Sequence, residues 1–273
     1  MIKTTNQSMK KKLFNLLKVL LGLYIIVCGL LYFFQEKVIF HPEKLAANYA
    51  FDFGGNVEEL NFKAHDGKLL NGLLFKAENS KGLIFYLHGN AGSLRTWGFV
   101  AETYTALNYD VFILDYRSFG KSEGEINSQA QLFEDNQLMY DAFKKQYAED
   151  KIIILGYSIG TGMAAKLAAD NHPQQLILQA PYYNLTDLMR QKFLFAPSFL
   201  LKYKFATNKY LTHCAMPITL FHGTQDAVIP YASSVKLKAE FDKMKLITLN
   251  GQGHGGITDN EIYKMELRKM VAK

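Results

Sequence analysis

Five short and almost wholly apolar runs, Leu83–Leu87, Val111–Leu114, Ile152–Leu155, Leu176–Leu178 and Ile218–Phe221, recur along this chain between longer stretches of helical character. A strand that is apolar at nearly every position has no face to offer water and must be covered on both sides. A parallel sheet flanked by helices does this. The stretches 94–106, 128–147, 158–170, 231–243 and 260–271 supply the candidate helices, and Leu246–Leu249 supplies a last strand. Ahead of them, Val57–Ala64 and Leu69–Lys76 read as a hairpin around the turn-rich His65–Lys68. The expected fold class is α/β, with a mostly parallel, doubly wound sheet.

The N-terminus is of another kind. Val19–Phe34 is an uncharged run of 16 residues, and extending it back to Leu13 adds only Asn15 and Lys18 as polar side chains. A helix over 13–34 would rise about 33 Å, enough for a hydrocarbon core of about 30 Å. No pair of small residues resembling a signal-peptidase site follows the run, so an uncleaved anchor is expected rather than a signal peptide. Residues 1–12 hold Lys10, Lys11 and Lys12 and should stay cytoplasmic, which places the C-terminal part outside the cytoplasm. Residues 35–49 read as a juxtamembrane connector and 50–273 as a single domain, a length that can bury a sizeable core.

The charge pattern removes one class of function. The net charge of the chain is +6, and residues 1–37 alone carry six lysines against Glu36. The remainder is close to neutral, so no basic face for nucleic acid is expected. Cys28 sits in the apolar run and Cys214 stands alone beyond it, which leaves no disulfide and no cysteine cluster for a structural zinc.

Directly behind Ile152–Leu155 comes Gly156-Tyr-Ser158-Ile-Gly160. A chain that leaves a buried strand and enters a helix here must reverse sharply, and only small neighbours let the backbones approach. Ser158 would be the apex of such a turn, a G-x-S-x-G nucleophile elbow. A serine hydroxyl is a weak nucleophile until a base removes its proton. Where a serine elbow works with an acid and a histidine on a sheet of this kind, the order along the chain is serine, acid, histidine. Of the seven histidines, only His254, in the glycine-rich stretch 251–256, follows the best acid candidate. That acid is Asp226, just past a strand end, where catalytic groups gather in open α/β sheets; Asp187 is the alternative. An oxyanion needs backbone N–H donors. Ile159, after the nucleophile, should give one. The loop His88-Gly-Asn90-Ala-Gly-Ser93 should give the other through Asn90, with Ala91 as the alternative. His88 itself reads as a brace for that loop, and Asp115 and Arg117 as ties within the next one. The match of 251–256 to G-x-G-x-x-G has no room for the helix and strand that a dinucleotide site requires.

The motifs around His88–Ser93, Leu114–Gly124, Gly156–Gly162, His222–Asp226 and Gly251–Gly256 stand in one order, and together they resemble the α/β-hydrolase superfamily. Within it, the chain is similar to a serine-aminopeptidase-like branch that includes membrane-anchored hydrolases and protein depalmitoylases. The resemblance implies hydrolysis of an ester, thioester or amide through an acyl-serine intermediate, with Ser158, Asp226 and His254 as the triad, and no cofactor or metal. The implied partners are a small acyl substrate or acylated molecule and the membrane around the N-terminal helix. It also places a cap at 184–216, where Phe193, Leu194, Phe195, Phe199, Leu200 and Leu201 cluster near Lys202 and Lys204. Phe193, Phe199 and Leu200 are the candidate pocket residues, and the two lysines are expected to face lipid headgroups. The competing readings are an aminopeptidase, which would want an acidic pocket, and a non-catalytic binding module on the same fold.

Overall fold

The computed structural model describes residues 2–193 and 195–271, the first seven of them by backbone alone; Leu194, counted above with the apolar residues of the cap, lies outside the described residues. The chain runs through α1 (Ile2–Phe33), α2 (Gln35–Ile39), β1 (His41–Pro42), β2 (Asn56–Lys63), β3 (Leu69–Lys76), β4 (Leu83–Leu87), β5 (Ala91–Gly92), α3 (Leu94–Trp97), α4 (Ala101–Thr105) and β6 (Asp110–Leu114). It continues through α5 (Gln129–Phe143), β7 (Ile152–Tyr157), α6 (Gly160–Ala169), β8 (Gln175–Gln179), α7 (Leu185–Lys192), α8 (Thr207–Leu211), β9 (Ile218–Gly223), α9 (Ala232–Glu240), β10 (Lys245–Leu249) and α10 (Glu261–Val271).

Among the described residues, eight strands form one sheet in the order β10-β9-β8-β7-β4-β6-β3-β2. From β10 to β6 neighbouring strands run parallel, and only the expected hairpin β2–β3 and its junction with β6 are antiparallel. Every residue of β4 and β6 is buried, as a sheet covered on both faces requires. Side chains alternate between the two layers. Leu83, Phe85 and Leu87 join the core on the α5–α6 side, while Ile84 and Tyr86 join the core beside α4 and α10. Each such fully buried apolar side chain contributes about 1.5–3 kcal/mol, so the layers hold the sheet rigid under whatever stands at its edge.

That edge is set by register. Leu87 of β4 lies opposite Gly156 of β7, Tyr157 opposite Gln179 of β8, and Gln179 opposite Phe221 of β9. The loops that leave these strands therefore emerge side by side at the C-terminal end of the sheet, where open α/β sheets hold their ligands.

α1 contains a stretch, Met9–Phe33, long and apolar enough to cross a bilayer, and none of it is buried against the rest of the chain. Residues 35–49 are more than a connector. β1 pairs in parallel with β5, and α2 packs beside the segment 200–203. The sequence offers little warning of this, because a two-residue strand and a five-residue helix carry no periodicity to read.

Candidate active site

Ser158 sits at φ +53°, a left-handed conformation that non-glycine residues rarely adopt without strain. The local sequence makes the turn possible. A Cβ on Gly156 would stand 2.6 Å from both the Ala164 Cβ and the Gly160 carbonyl oxygen, and one on Gly160 would stand 2.1 Å from the Leu87 carbonyl oxygen. With neither Cβ present, α6 begins hard against β4, and the serine is presented at the end of β7.

Three side chains meet there from three loops. His254 Nε2 is 3.0 Å from Ser158 Oγ, and His254 Nδ1 is 2.7 Å from Asp226 Oδ2. Beside a carboxylate, Nδ1 carries the proton and donates to Asp226, which leaves Nε2 to accept from the serine hydroxyl. Asp226 Oδ1 accepts from the N–H groups of Val228 and Ile229, each at 2.8 Å. Burial alone would raise the Asp226 carboxyl, but the bonds from His222, His254 and the Ile229 N–H outweigh it and hold the group well below the usual carboxylate range. Asp226 is thus an anion aimed at His254. The alternative acid, Asp187, lies on α7 and pairs instead with Lys236 at 3.3 Å.

His222 has a part that the sequence reading did not assign. It is fully buried, with Nδ1 2.6 Å from Ser234 Oγ and Nε2 2.9 Å from the Ile229 carbonyl oxygen and 3.2 Å from Asp226 Oδ2. A proton on Nε2 serves both oxygens while Nδ1 accepts from the serine hydroxyl. The imidazole thereby fixes the Asp226 loop from beneath. Its position in His222-Gly-Thr-Gln-Asp226 was the available signal, since four residues bring it back to the same carboxylate.

The Asn90 and Ile159 N–H groups donate no hydrogen bond among the described residues, and both residues border the same cavity as Ser158. Ala91 does not border that cavity, and its carbonyl accepts from Trp97 Nε1. The Asn90 side chain donates to the Ile39 carbonyl at 2.8 Å, and the His41 N–H donates to the Asn90 carbonyl at 2.7 Å. His88 is buried and stacked on Trp97, with Nδ1 2.7 Å from the Gly89 carbonyl oxygen. Burial lowers its pKa to about 4, so at neutral pH it is an uncharged brace. Asp115 and Arg117 tie the next loop to other elements rather than within itself, a departure from the sequence reading. Arg117 donates to Asp135 at 2.7 Å and to Asp66 at 2.6 Å, and Asp115 accepts from the Leu94 N–H at 3.0 Å.

Over Ser158 lies a cavity of about 260 Å³, walled by Leu185, Leu188, Met189, Phe193, Ala196, Leu200 and Leu201 of the segment after β8, and by Leu31, Gln35, Val38 and Ile39 of α1 and α2. Phe193 and Leu200 are where the sequence reading put them. Phe199 is not. It lies outside the cavity lining and is 80% exposed. One turn of the 3-10 helix at Ser198–Leu200 aims neighbouring residues in different directions, so Leu200 turns in as Phe199 turns out. Lys202 also departs from expectation. It pairs with Glu36 at 3.1 Å and lies over the Tyr32 ring rather than standing free for headgroups.

Comparison with known proteins agrees with this architecture. A family model described as serine aminopeptidase, S33, matches residues 78–210, and one described as TAP-like protein matches residues 202–267. The esterase Pf2001 of Pyrococcus furiosus superposes with a TM-score of 0.66 over 85% of this chain and 98% of its own, at 19% identity. The chain has the α/β-hydrolase fold. By sequence, the chain is 26% identical to the protein YfhR of Escherichia coli O157:H7 over 97% of this chain and 95% of that one. It is 28% identical to the lysophosphatidylserine lipase ABHD12 of Danio rerio over 59% of this chain, and spans 47% of that lipase.

Proposed function

We propose that this protein is a membrane-anchored serine hydrolase that cleaves a carboxylic ester or thioester of an acyl chain. Ser158, His254 and Asp226 are its triad, and the Asn90 and Ile159 N–H groups form its oxyanion hole. The observation that carries this reading is the hydrogen-bonded line from Ser158 Oγ through His254 to Asp226 at the floor of an apolar cavity.

His254 Nε2 takes the serine proton as Oγ attacks the acyl carbonyl carbon. The oxyanion that forms draws on the two N–H donors, and the imidazolium on the Asp226 charge. Collapse expels the alcohol or thiol, which leaves with the proton from His254, and Ser158 remains acylated. Water then repeats the sequence: His254 takes its proton, hydroxide adds to the acyl carbon, and the acid departs as Ser158 regains its hydrogen. The acyl preference is supported by the cavity walls, where Lys192 is the one ionised side chain among the described lining residues. An aminopeptidase would need a carboxylate there for the substrate ammonium. The names of relatives point the same way, one being a lipase and one an esterase. Anchoring rests on the length and apolarity of Met9–Phe33, and the lysines at 10–12 favour an extracytoplasmic hydrolase domain.

The test is covalent. A fluorophosphonate should label the wild-type protein on Ser158 and leave Ser158→Ala unlabelled and without esterase activity. Ester hydrolysis that survives Ser158→Ala would overturn the reading.

A further inference from the structure

We propose that the furrow between α1 and the cap segment is a lateral portal, through which the acyl chain of a lipid ester slides from the bilayer to Ser158. This rests on the hydrolase reading above and adds the source of the substrate. A second cavity of about 370 Å³ lies beside the first, bounded on one side by Tyr24, Val27, Cys28 and Leu31 of α1 and on the other by Phe193 and Phe195 of the cap. The two cavities share Leu31, Lys192, Phe193 and Ala196 as common walls. The two cavities are therefore immediate neighbours, one at the side of the apolar helix and one over the serine.

The position of this furrow along α1 identifies its occupant. The Tyr24 hydroxyl donates to the Phe195 carbonyl at 2.9 Å. Tyr24 stands nine residues before Phe33, the end of the apolar stretch, which is about 14 Å along a helix axis. With Phe33 at one face of a hydrocarbon core about 30 Å thick, the cap loop reaches well into one leaflet. Non-helical backbone at that depth must find its partner inside the protein, and the Tyr24–Phe195 bond supplies one. Phe195 and Phe199 of the cap are 86% and 80% exposed, and Phe33 at the end of α1 is 71% exposed. Large rings so bare to water mark a surface that meets something apolar. Among the described lining residues Lys192 is the one cation, and its Nζ reaches out to the Ala227 carbonyl at 3.0 Å rather than across the gap. The end of the helix is also locked to the cap. Gln35 is buried, donates to the Leu200 carbonyl at 3.2 Å and accepts from the Lys202 N–H at 2.8 Å. The portal is thus a built gap between two fixed walls, and α1 is a wall of the substrate path as well as an anchor.

The experiment uses the full chain in phosphatidylcholine vesicles. Two substrates share one fluorogenic leaving group, a palmitate ester held in the bilayer and a butyrate ester supplied from water. Val27→Trp and Cys28→Trp, which narrow the furrow away from the triad, should lower the palmitate-to-butyrate rate ratio at least tenfold. An unchanged ratio overturns the portal and leaves the hydrolase standing. Because a tryptophan variant can misfold, the wild-type chain is tested as well. A hexadecyl fluorophosphonate with a terminal diazirine, captured by Ser158 in vesicles and photolysed, should crosslink to residues 24–31. Crosslinks confined to the sheet and the interior of the cap overturn the portal. Wild-type protein that hydrolyses neither ester and takes no fluorophosphonate overturns the hydrolase reading itself, and the portal falls with it.

Discussion

The side-chain amide of Asn90 donates to the Ile39 carbonyl at 2.8 Å, so the loop that borders the Ser158 cavity is held by the segment that follows the apolar helix. The returning bond from the His41 N–H to the Asn90 carbonyl closes the link. Asn90→Ala keeps the backbone donor and the bond from His41 and removes the side-chain half of the tether. Displacement of a reacting group by about 1 Å can cost up to about 100-fold. The variant should therefore lose 10- to 100-fold in kcat on a butyrate ester with a small change in KM, and a loss confined to KM would assign Asn90 to substrate binding instead. Deleting residues 2–44, which removes β1 as well as the helix, should abolish activity on soluble esters, whereas deleting 2–33 should spare part of it.

Asp226 orients His254, and Asp187 does not touch it. Asp226→Asn should lower kcat by about 10⁴, by analogy with the orienting aspartate of other triads. Asp187→Asn, which loses a surface pair with Lys236, should stay within a few-fold of wild type. Steady-state rates of the two variants decide between the acids.

The same carboxylate makes stability depend on acid. Its folded-state pKa lies below the unfolded value of about 3.9. Near and below that value the unfolded chain binds more protons than the folded one, so stability is fully present above it and falls as pH drops toward the folded value. Between pH 5 and 2.5 the wild-type Tm should fall more steeply than that of Asp226→Asn. Parallel melting curves would remove Asp226 from the acid response.

Gly160→Ala places a methyl group 2.1 Å from the Leu87 carbonyl oxygen. Overpacking of this kind costs about 1–3 kcal/mol, or roughly 3–10 °C in Tm for a domain of this size. Because Leu87 leads into the His88–Asn90 loop, activity should fall along with Tm. A variant with wild-type Tm and rate would show that α6 can shift to make room.

The proposed orientation across the membrane rests on Lys10, Lys11 and Lys12 ahead of the apolar run. A C-terminal reporter that is active only outside the cytoplasm should be active in a bacterial host, and activity restricted to a cytoplasmic reporter would reverse the assignment.

The sheet and its helices were legible in the sequence, because strands buried on both faces must be continuously apolar and helices covering them must not be. Leu83–Leu87 and Leu69–Lys76 form strands with the bounds the pattern implies. Ser158, Asp226 and His254 could be singled out by order, since each follows a strand and the parallel sheet brings all strand ends to one edge. Local sequence could not reveal what depends on contacts between distant segments. Gln35 meets Leu200 across 165 residues, Tyr24 meets Phe195 across 171, and His222 finds Asp226 only once the loop has closed. Phe199 and Leu200 are both large and apolar, and only the packing of the 3-10 turn between α1 and the sheet decides which one faces the cavity. Periodicity reports which residues avoid water; the tertiary structure decides which of them avoid it against each other and which meet a substrate or a membrane.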